Sequence, residues 1–123
     1  MLCFRDQISV LGTIYRVKIK DYKDDKYFEK NSCDGYCDGA IKLIVVCNMK
    51  TYPGFEDEEE NVLEMTMKQI LRHEIVHAFF NESGLCGSSG KYEGAWAKNE
   101  EMVDWISIQL EKMHQAFIEA GAI

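Results

Sequence analysis

Two histidines and a glutamate stand close together in the second half of the chain, in the sequence His73-Glu74-Ile75-Val76-His77. The four-residue spacing puts both imidazoles on one face of a helix, one turn apart, where they can share one ion. Neutral imidazole suits Zn²⁺, and Glu74 would lie beside such an ion without blocking it. In that position Glu74 can accept a proton from a zinc-bound water, whose pKa the ion lowers toward about 7. The motif therefore predicts a zinc cofactor and a general base for the attack of water on a carbonyl.

The phase of the predicted helix favours a metal site over two histidines that merely pack or hydrogen-bond. Leu63, Ile70 and His77 follow one another at seven-residue intervals and lie on one stripe of the helix. His73 lies alongside this stripe, so both imidazoles turn towards the interior. Buried polar groups need partners, and a metal ion supplies one.

A catalytic zinc site usually has three protein ligands and one open position. The remaining histidine, His114, lies late in a second predicted helix, but the start of that helix offers Glu100 and Glu101. Glu100 lies nearer the edge of the apolar stripe and is favoured as the ligand, with Glu101 as the alternative. Asp104, four residues after Glu100, would accept the second N–H of a ligand histidine. The competing interpretation is that both glutamates only complement the helix dipole.

The first half of the chain is strand-like. Alternating β-branched residues predict two short strands over 7–20, around a turn at Gly12. The apolar run over 40–48 predicts a strand that is buried on both faces. The charged segment 21–31 has no apolar period and is interpreted as a loop or a weak edge strand.

The second half is helical. One helix is predicted from about Glu58 to Glu82, with a capping box of Asp57 and Glu60 at its start and Gly84 just after its end. A second helix is predicted over 99–120. Its apolar residues recur at three- and four-residue steps and are expected to face the core: Val103, Ile106, Leu110, Met113 and Phe117. Trp96 and Trp105 are also interpreted as core residues, with a pocket for an apolar substrate side chain as the alternative.

The motif and the elements around it resemble a known group of enzymes. HExxH, followed after a loop by Asn-Glu-x-x-x-Asp on a second helix, resembles the gluzincin metallopeptidases, of which thermolysin is the familiar member. The small size is more similar to short phage and mobile-element metallopeptidases, including those of the ImmA/IrrE type. The stretch 68–79 resembles small phage-encoded zinc-peptidase-like proteins in particular, and the resemblance as a whole covers about residues 36–110.

This resemblance implies a set of roles and a fold. His73, His77 and Glu100 would bind zinc, Glu74 would be the catalytic base, and Asp104 would support a ligand histidine from behind. The implied fold class is α+β, a minimal zincin in one domain spanning 1–123. In such a domain a small, twisted, mostly antiparallel sheet packs on the HExxH helix and on a second, C-terminal helix.

The chain also departs from these relatives. It lacks the large C-terminal subdomain of thermolysin, and its sequence over 103–107 differs from the ImmA/IrrE pattern near the third ligand. Neither pattern supplies an obvious residue to stabilise an oxyanion. Tyr92, in a glycine-rich loop, is the candidate for that role, because a phenol there can reach the open side of a metal. An ordinary loop tyrosine is the alternative.

Composition narrows the range of functions. Hydrophobic residues make up 46% of the 123 residues and charged residues 28%, as in ordinary globular proteins. Lys and Arg number 14 against 21 Asp and Glu, and the net charge of −7 argues against binding to nucleic acid or to an anionic membrane. The five cysteines, without a secretion signal, indicate reduced thiols and a cytoplasmic protein.

The sequence therefore predicts a cytoplasmic zinc metallopeptidase that hydrolyses a peptide bond in a protein or peptide substrate. The strand over Ile41 to Cys47 would pair with an extended substrate if it lies at a sheet edge. The alternative is a catalytically weak or inactive zinc-containing regulatory or binding protein of phage origin. A metal-free interaction module is a third hypothesis.

Overall fold

A four-stranded sheet organises the first half of the chain in the computed structural model, which describes residues 2–88 and 95–123. Its strands are β1 (Gln7–Val10), β2 (Thr13–Lys20), β3 (Gly35–Asp38) and β4 (Leu43–Cys47), arranged in the order β1-β2-β4-β3. The β1–β2 and β3–β4 pairs are antiparallel, whereas β2 and β4 run parallel. The sheet is therefore mixed, with the expected antiparallel pairs in the majority.

The helices are α1 (Lys26–Asn31), α2 (Glu60–Glu82), the short α3 (Leu85–Ser88) and α4 (Glu100–Glu119). Helix α2 packs against strands β3 and β4, and α4 packs against α2. The α+β class expected from the sequence is confirmed. None of the described helices is both long and apolar enough to cross a membrane.

Strand β4 lies in the middle of the sheet, and all five of its residues are buried. The expected burial on both faces is confirmed, although the strand is shorter than the 40–48 predicted. The interpretation of Ile41 to Cys47 as an edge that pairs with substrate is wrong, because β2 and β3 occupy both sides of β4. The edge next to α2 belongs to β3 instead.

The segment 21–31 is helical, so its interpretation as a loop or edge strand is wrong. A 3₁₀ turn over Tyr22–Asp24 leads into α1, whose first turn is capped by Asp25. The Asp25 side chain accepts a hydrogen bond from the Tyr27 N–H at 3.0 Å, and Phe28 is fully buried. One capping carboxylate and one buried ring hold a helix of six residues, which is too short to display an apolar period.

Helix α2 ends as expected, but it begins differently. Gly84 follows its C-terminus with a φ of 83°, a conformation that suits glycine. At the other end the residue before the helix is Glu59, which makes no side-chain capping bond. The predicted capping box of Asp57 and Glu60 is therefore wrong, because turns over 52–57 place Asp57 ahead of the helix start.

Helix α4 is anchored only over its first half. Asn99 caps it by accepting a hydrogen bond from the Met102 N–H at 2.9 Å, and Val103 and Ser107 are buried. From residue 110 onward every described residue is exposed, so Leu110, Met113 and Phe117 do not face the core as expected. Their spacing is right for a stripe, but no described part of the chain packs over it.

The two tryptophans are not core residues either. Trp96 is 49% exposed and Trp105 is 55% exposed, and they line a shallow pocket on the outer side of α4 with Met102 and Ile108. The Trp96 ring packs edge-on against Phe80 of α2, but neither indole is enclosed. The alternative interpretation, a pocket that takes an apolar substrate side chain, stays a prediction.

Candidate metal centre

Helices α2 and α4 run antiparallel and bring the predicted site residues together. As α2 runs from His73 to His77, its partners on α4 run backwards from Asp104 to Glu100. Four-residue spacing on both helices means that each pair stacks one turn apart on the face that meets the other helix. Four side chains separated by up to 31 residues in sequence therefore meet at one place.

The donor atoms at this place form a close triangle. The Nε2 atoms of His73 and His77 are 3.1 Å apart. The Glu100 carboxylate lies across from both: Oε2 is 3.0 Å from His73 Nε2 and 3.4 Å from His77 Nε2, and Oε1 is 3.1 Å from His77 Nε2. Two donors that bind one tetrahedral zinc ion at ~2.0–2.1 Å are about 3.3 Å apart. The three side chains are thus spaced as zinc ligands are, within a few tenths of an ångström.

The far side of His73 is held by Asp104. Its Oδ1 lies 2.6 Å from His73 Nδ1, and a carboxylate can only accept there, so Nδ1 carries the proton. When the ring is neutral, its lone pair lies on Nε2, the atom that faces His77 and Glu100. This is the usual arrangement behind a metal-binding histidine, where the carboxylate fixes both the tautomer and the ring orientation.

Burial favours the neutral form of the second histidine. It lowers the pKa of His77, assisted by the neighbouring His73 and opposed by the Glu100 carboxylate. Because only neutral imidazole coordinates a metal, this shift leaves His77 ready to bind at neutral pH.

Glu74 lies next to the triangle but on a more buried side. Glu74 is only 5% exposed. Burial raises the pKa of Glu74 to about 7, against the opposing effect of His73, and the carboxylates of Glu100 and Asp34 raise it further. One ligand atom from each of His73, Glu74 and His77 lies within 4.8 Å of the others, a grouping that can hold a metal ion. A carboxylate poised in this way can take up and release a proton close to neutral pH.

The remaining candidates fall elsewhere. Glu101 faces the outer side of α4, where it lines the pocket of the two tryptophans, so of the two glutamates only Glu100 meets the histidines. His114 lies on the exposed second half of α4. Tyr92, the candidate for oxyanion stabilisation, lies outside the described residues.

A cleft of about 820 Å³ opens beside the donor triangle. Its walls are β3, the end of α1, and the facing sides of α2 and α4. Besides the predicted site residues, it is lined by residues that the sequence did not point to: Asn31, Asp34, Tyr36, Cys37, Asn81 and Lys98.

Strand β3 was the main omission from the sequence-based picture. Asp34-Gly35 and Asp38-Gly39 are turn-forming dipeptides at its two ends, and the short sequence between them has no strand pattern. The structure gives Gly35 a different role. A Cβ there would lie 2.5 Å from Ile70 Cγ2, so the missing side chain lets β3 approach α2 beside Glu74. The sequence around Gly35 gives no signal of this contact, because the contact depends on how α2 packs.

Comparison with protein-family models, with curated proteins and with solved structures finds no match to this chain. The proposed roles below therefore depend on the geometry of the site and on the chemistry of its residues.

Proposed function

We propose that this chain is a zinc-dependent metallopeptidase that hydrolyses a peptide bond in a protein or peptide. His73, His77 and Glu100 hold the zinc ion in this proposal. The observation that supports it best is the triangle formed by the two Nε2 atoms and Glu100 Oε2, with edges of 3.0–3.4 Å, backed by Asp104 on His73. Two neutral imidazoles and one carboxylate form a ligand set used by catalytic zinc sites, which leave the fourth position open.

Glu74 is the proton carrier in this proposal. A bound zinc ion supplies Lewis-acid chemistry, because it polarises a carbonyl oxygen and lowers the pKa of water. Glu74 accepts the proton of the attacking water and then delivers it to the departing amine as the peptide C–N bond breaks. Burial beside the ligands favours the protonated form of Glu74 relative to an exposed carboxyl, which helps it to hold the proton between the two steps.

The open edge of β3 gives an extended substrate a place to bind. In the described sheet β3 pairs on one side only, with β4, and Gly35, Tyr36 and Cys37 line the cleft next to the donor triangle. Main-chain groups at a sheet edge can bind a peptide as an added strand. The role first assigned to Ile41 to Cys47 therefore passes to β3 in this proposal.

The test replaces Glu74 by glutamine, which keeps the size of the side chain and removes its ability to accept the proton. We expect Glu74→Gln to bind one zinc ion per chain like the wild type and to lose cleavage of a mixed peptide library, measured by mass spectrometry. Glu101→Gln, on the outer side of α4, is the matched control and is expected to cleave normally. Full cleavage by Glu74→Gln would contradict its role as the base. Zinc binding with no cleavage by the wild type would instead support a zinc-containing binding protein.

A further inference from the structure

Helix α4 carries Glu100 and Asp104, yet little apolar surface fixes its position on α2. In the described part of α4, only Val103 and Ser107 are buried, and one of these two is polar. Apolar contacts are non-directional, so Val103 and the half-buried Ile106 do not by themselves determine how far α4 slides or rotates along its neighbour. Some other interaction must fix the register that brings Glu100 to the histidines.

A group of hydrogen bonds lies one turn beyond Asp104, and we call its residues Gln69, Arg72 and Ser107 the Ser107 clamp. Gln69 Nε2 donates to Ser107 Oγ at 2.9 Å, and Arg72 Nε donates to the Ser107 carbonyl oxygen at 3.1 Å. Arg72 Nη2 also donates to Gln69 Oε1 at 2.7 Å, which holds the two α2 side chains together. Ser107 Oγ in turn donates to the Asp104 carbonyl oxygen at 2.9 Å. Both the side chain and the main chain of Ser107 are thus hydrogen-bonded to α2.

Directional bonds of this kind determine both translation and rotation. A slide of one residue along a helix corresponds to a rise of about 1.5 Å and a turn of about 100°. A zinc site tolerates deviations of only about 0.2 Å in its ligand distances. Ser107 lies one turn after Asp104 and nearly two turns after Glu100, so a shift at the clamp is carried to both along a rigid helix.

We propose that Gln69 and Arg72 are positioning residues for the metal site, because the Ser107 clamp sets the register in which α4 presents Glu100 and Asp104. This inference depends on the proposed zinc site. Ser107, the α4 residue of the clamp, is only 1% exposed. Its hydrogen bonds are therefore shielded from competition by water. None of its residues is a ligand in the proposed metal site; Gln69 also lines the cleft, and the clamp acts on the ligands through α4.

The test compares the same substitution at two places. Gln69→Met removes the two clamp bonds that involve Gln69 and keeps a side chain of similar length, whereas Gln115→Met removes only a bond to Glu119 on the exposed half of α4. We expect zinc affinity, measured by chelator competition, to fall 10–100-fold in Gln69→Met and to stay unchanged in Gln115→Met. The Co²⁺ complex of Gln69→Met should lose the strong visible absorption of four-coordinate Co²⁺. Arg72→Lys, which keeps the charge but cannot make both bonds, should change affinity and spectrum in the same direction.

A second comparison distinguishes an effect on the position of α4 from a general loss of fold stability. In a background that already carries Glu100→Gln and Asp104→Asn, Gln69→Met should no longer change zinc affinity, because the side chains through which the clamp acts are gone. Wild-type affinity and an unchanged Co²⁺ spectrum in both Gln69→Met and Arg72→Lys would overturn the inference, as would an undiminished effect in the double-variant background. Failure of the wild type itself to bind zinc would instead refute the proposed function.

Discussion

Replacing Gly35 by alanine tests how closely strand β3 must lie against helix α2. The new Cβ would lie 2.5 Å from Ile70 Cγ2 and 3.1 Å from the Val45 carbonyl oxygen, with Glu74 Cγ at 3.6 Å. The first distance is below any normal carbon–carbon contact, so Ile70 must rotate or the strand must move. Ile70 is only 8% exposed and packs in the core, so neither adjustment is free. Overpacking of this kind costs about 1–3 kcal/mol.

The measurement is the free energy of unfolding in urea, compared with that of a second glycine variant. A Cβ at Gly39 would meet the Asn81 side chain, with Nδ2 at 2.8 Å, but that is the end of a side chain that is not fully buried and can turn away. We therefore expect Gly35→Ala to lower the unfolding free energy by more than Gly39→Ala does. Equal effects, or a smaller effect at Gly35, would refute the conclusion that β3 is held against α2 by the absence of a side chain.

Two further predictions concern carboxylates. Burial raises the pKa of Asp25, but hydrogen bonds from Tyr36, a main-chain N–H and Lys20 outweigh it and leave the pKa below its usual value. The ionised form thus stabilises the fold above the unfolded-state pKa of about 3.9, and this stabilisation is lost as pH falls through the folded-state pKa. We expect Asp25→Asn to lower the unfolding free energy, measured by urea titration, by about 1–3 kcal/mol at pH 7 and by much less at pH 2.5. An equal loss at both pH values would contradict the assignment. Asp104→Asn weakens the hydrogen bond to His73, so it should reduce zinc affinity 10–100-fold in a chelator competition without changing the stoichiometry. An unchanged affinity would show that the Asp104 contact does not contribute to zinc binding.

The residues of the candidate site could be predicted because their placement follows from helix periodicity. His73 and His77 are four residues apart, as are Glu100 and Asp104, and a helix puts such pairs on one face. Because the two helices run antiparallel, the pairs oppose one another. The choice of Glu100 over Glu101 followed from the same periodicity, and the structure places Glu100 at the histidines.

The features that were missed depend on contacts between distant parts of the chain. Strand β3 is identified by its pairing with β4, and its short sequence between two turn-forming dipeptides gives no local pattern of its own. Helix α1 depends on the burial of Phe28 and on one cap. The apolar stripe that continues from Val103 to Phe117 predicts a face correctly but not its burial, because periodicity contains no information on what packs against a face.

The metal content of the purified chain tests the central claim most directly. After incubation with Zn²⁺ and removal of unbound metal, elemental analysis should find one zinc ion per wild-type chain and a large loss in His77→Ala. A wild-type chain without metal, or a His77→Ala chain that keeps the full stoichiometry, would contradict a zinc site built on these two helices.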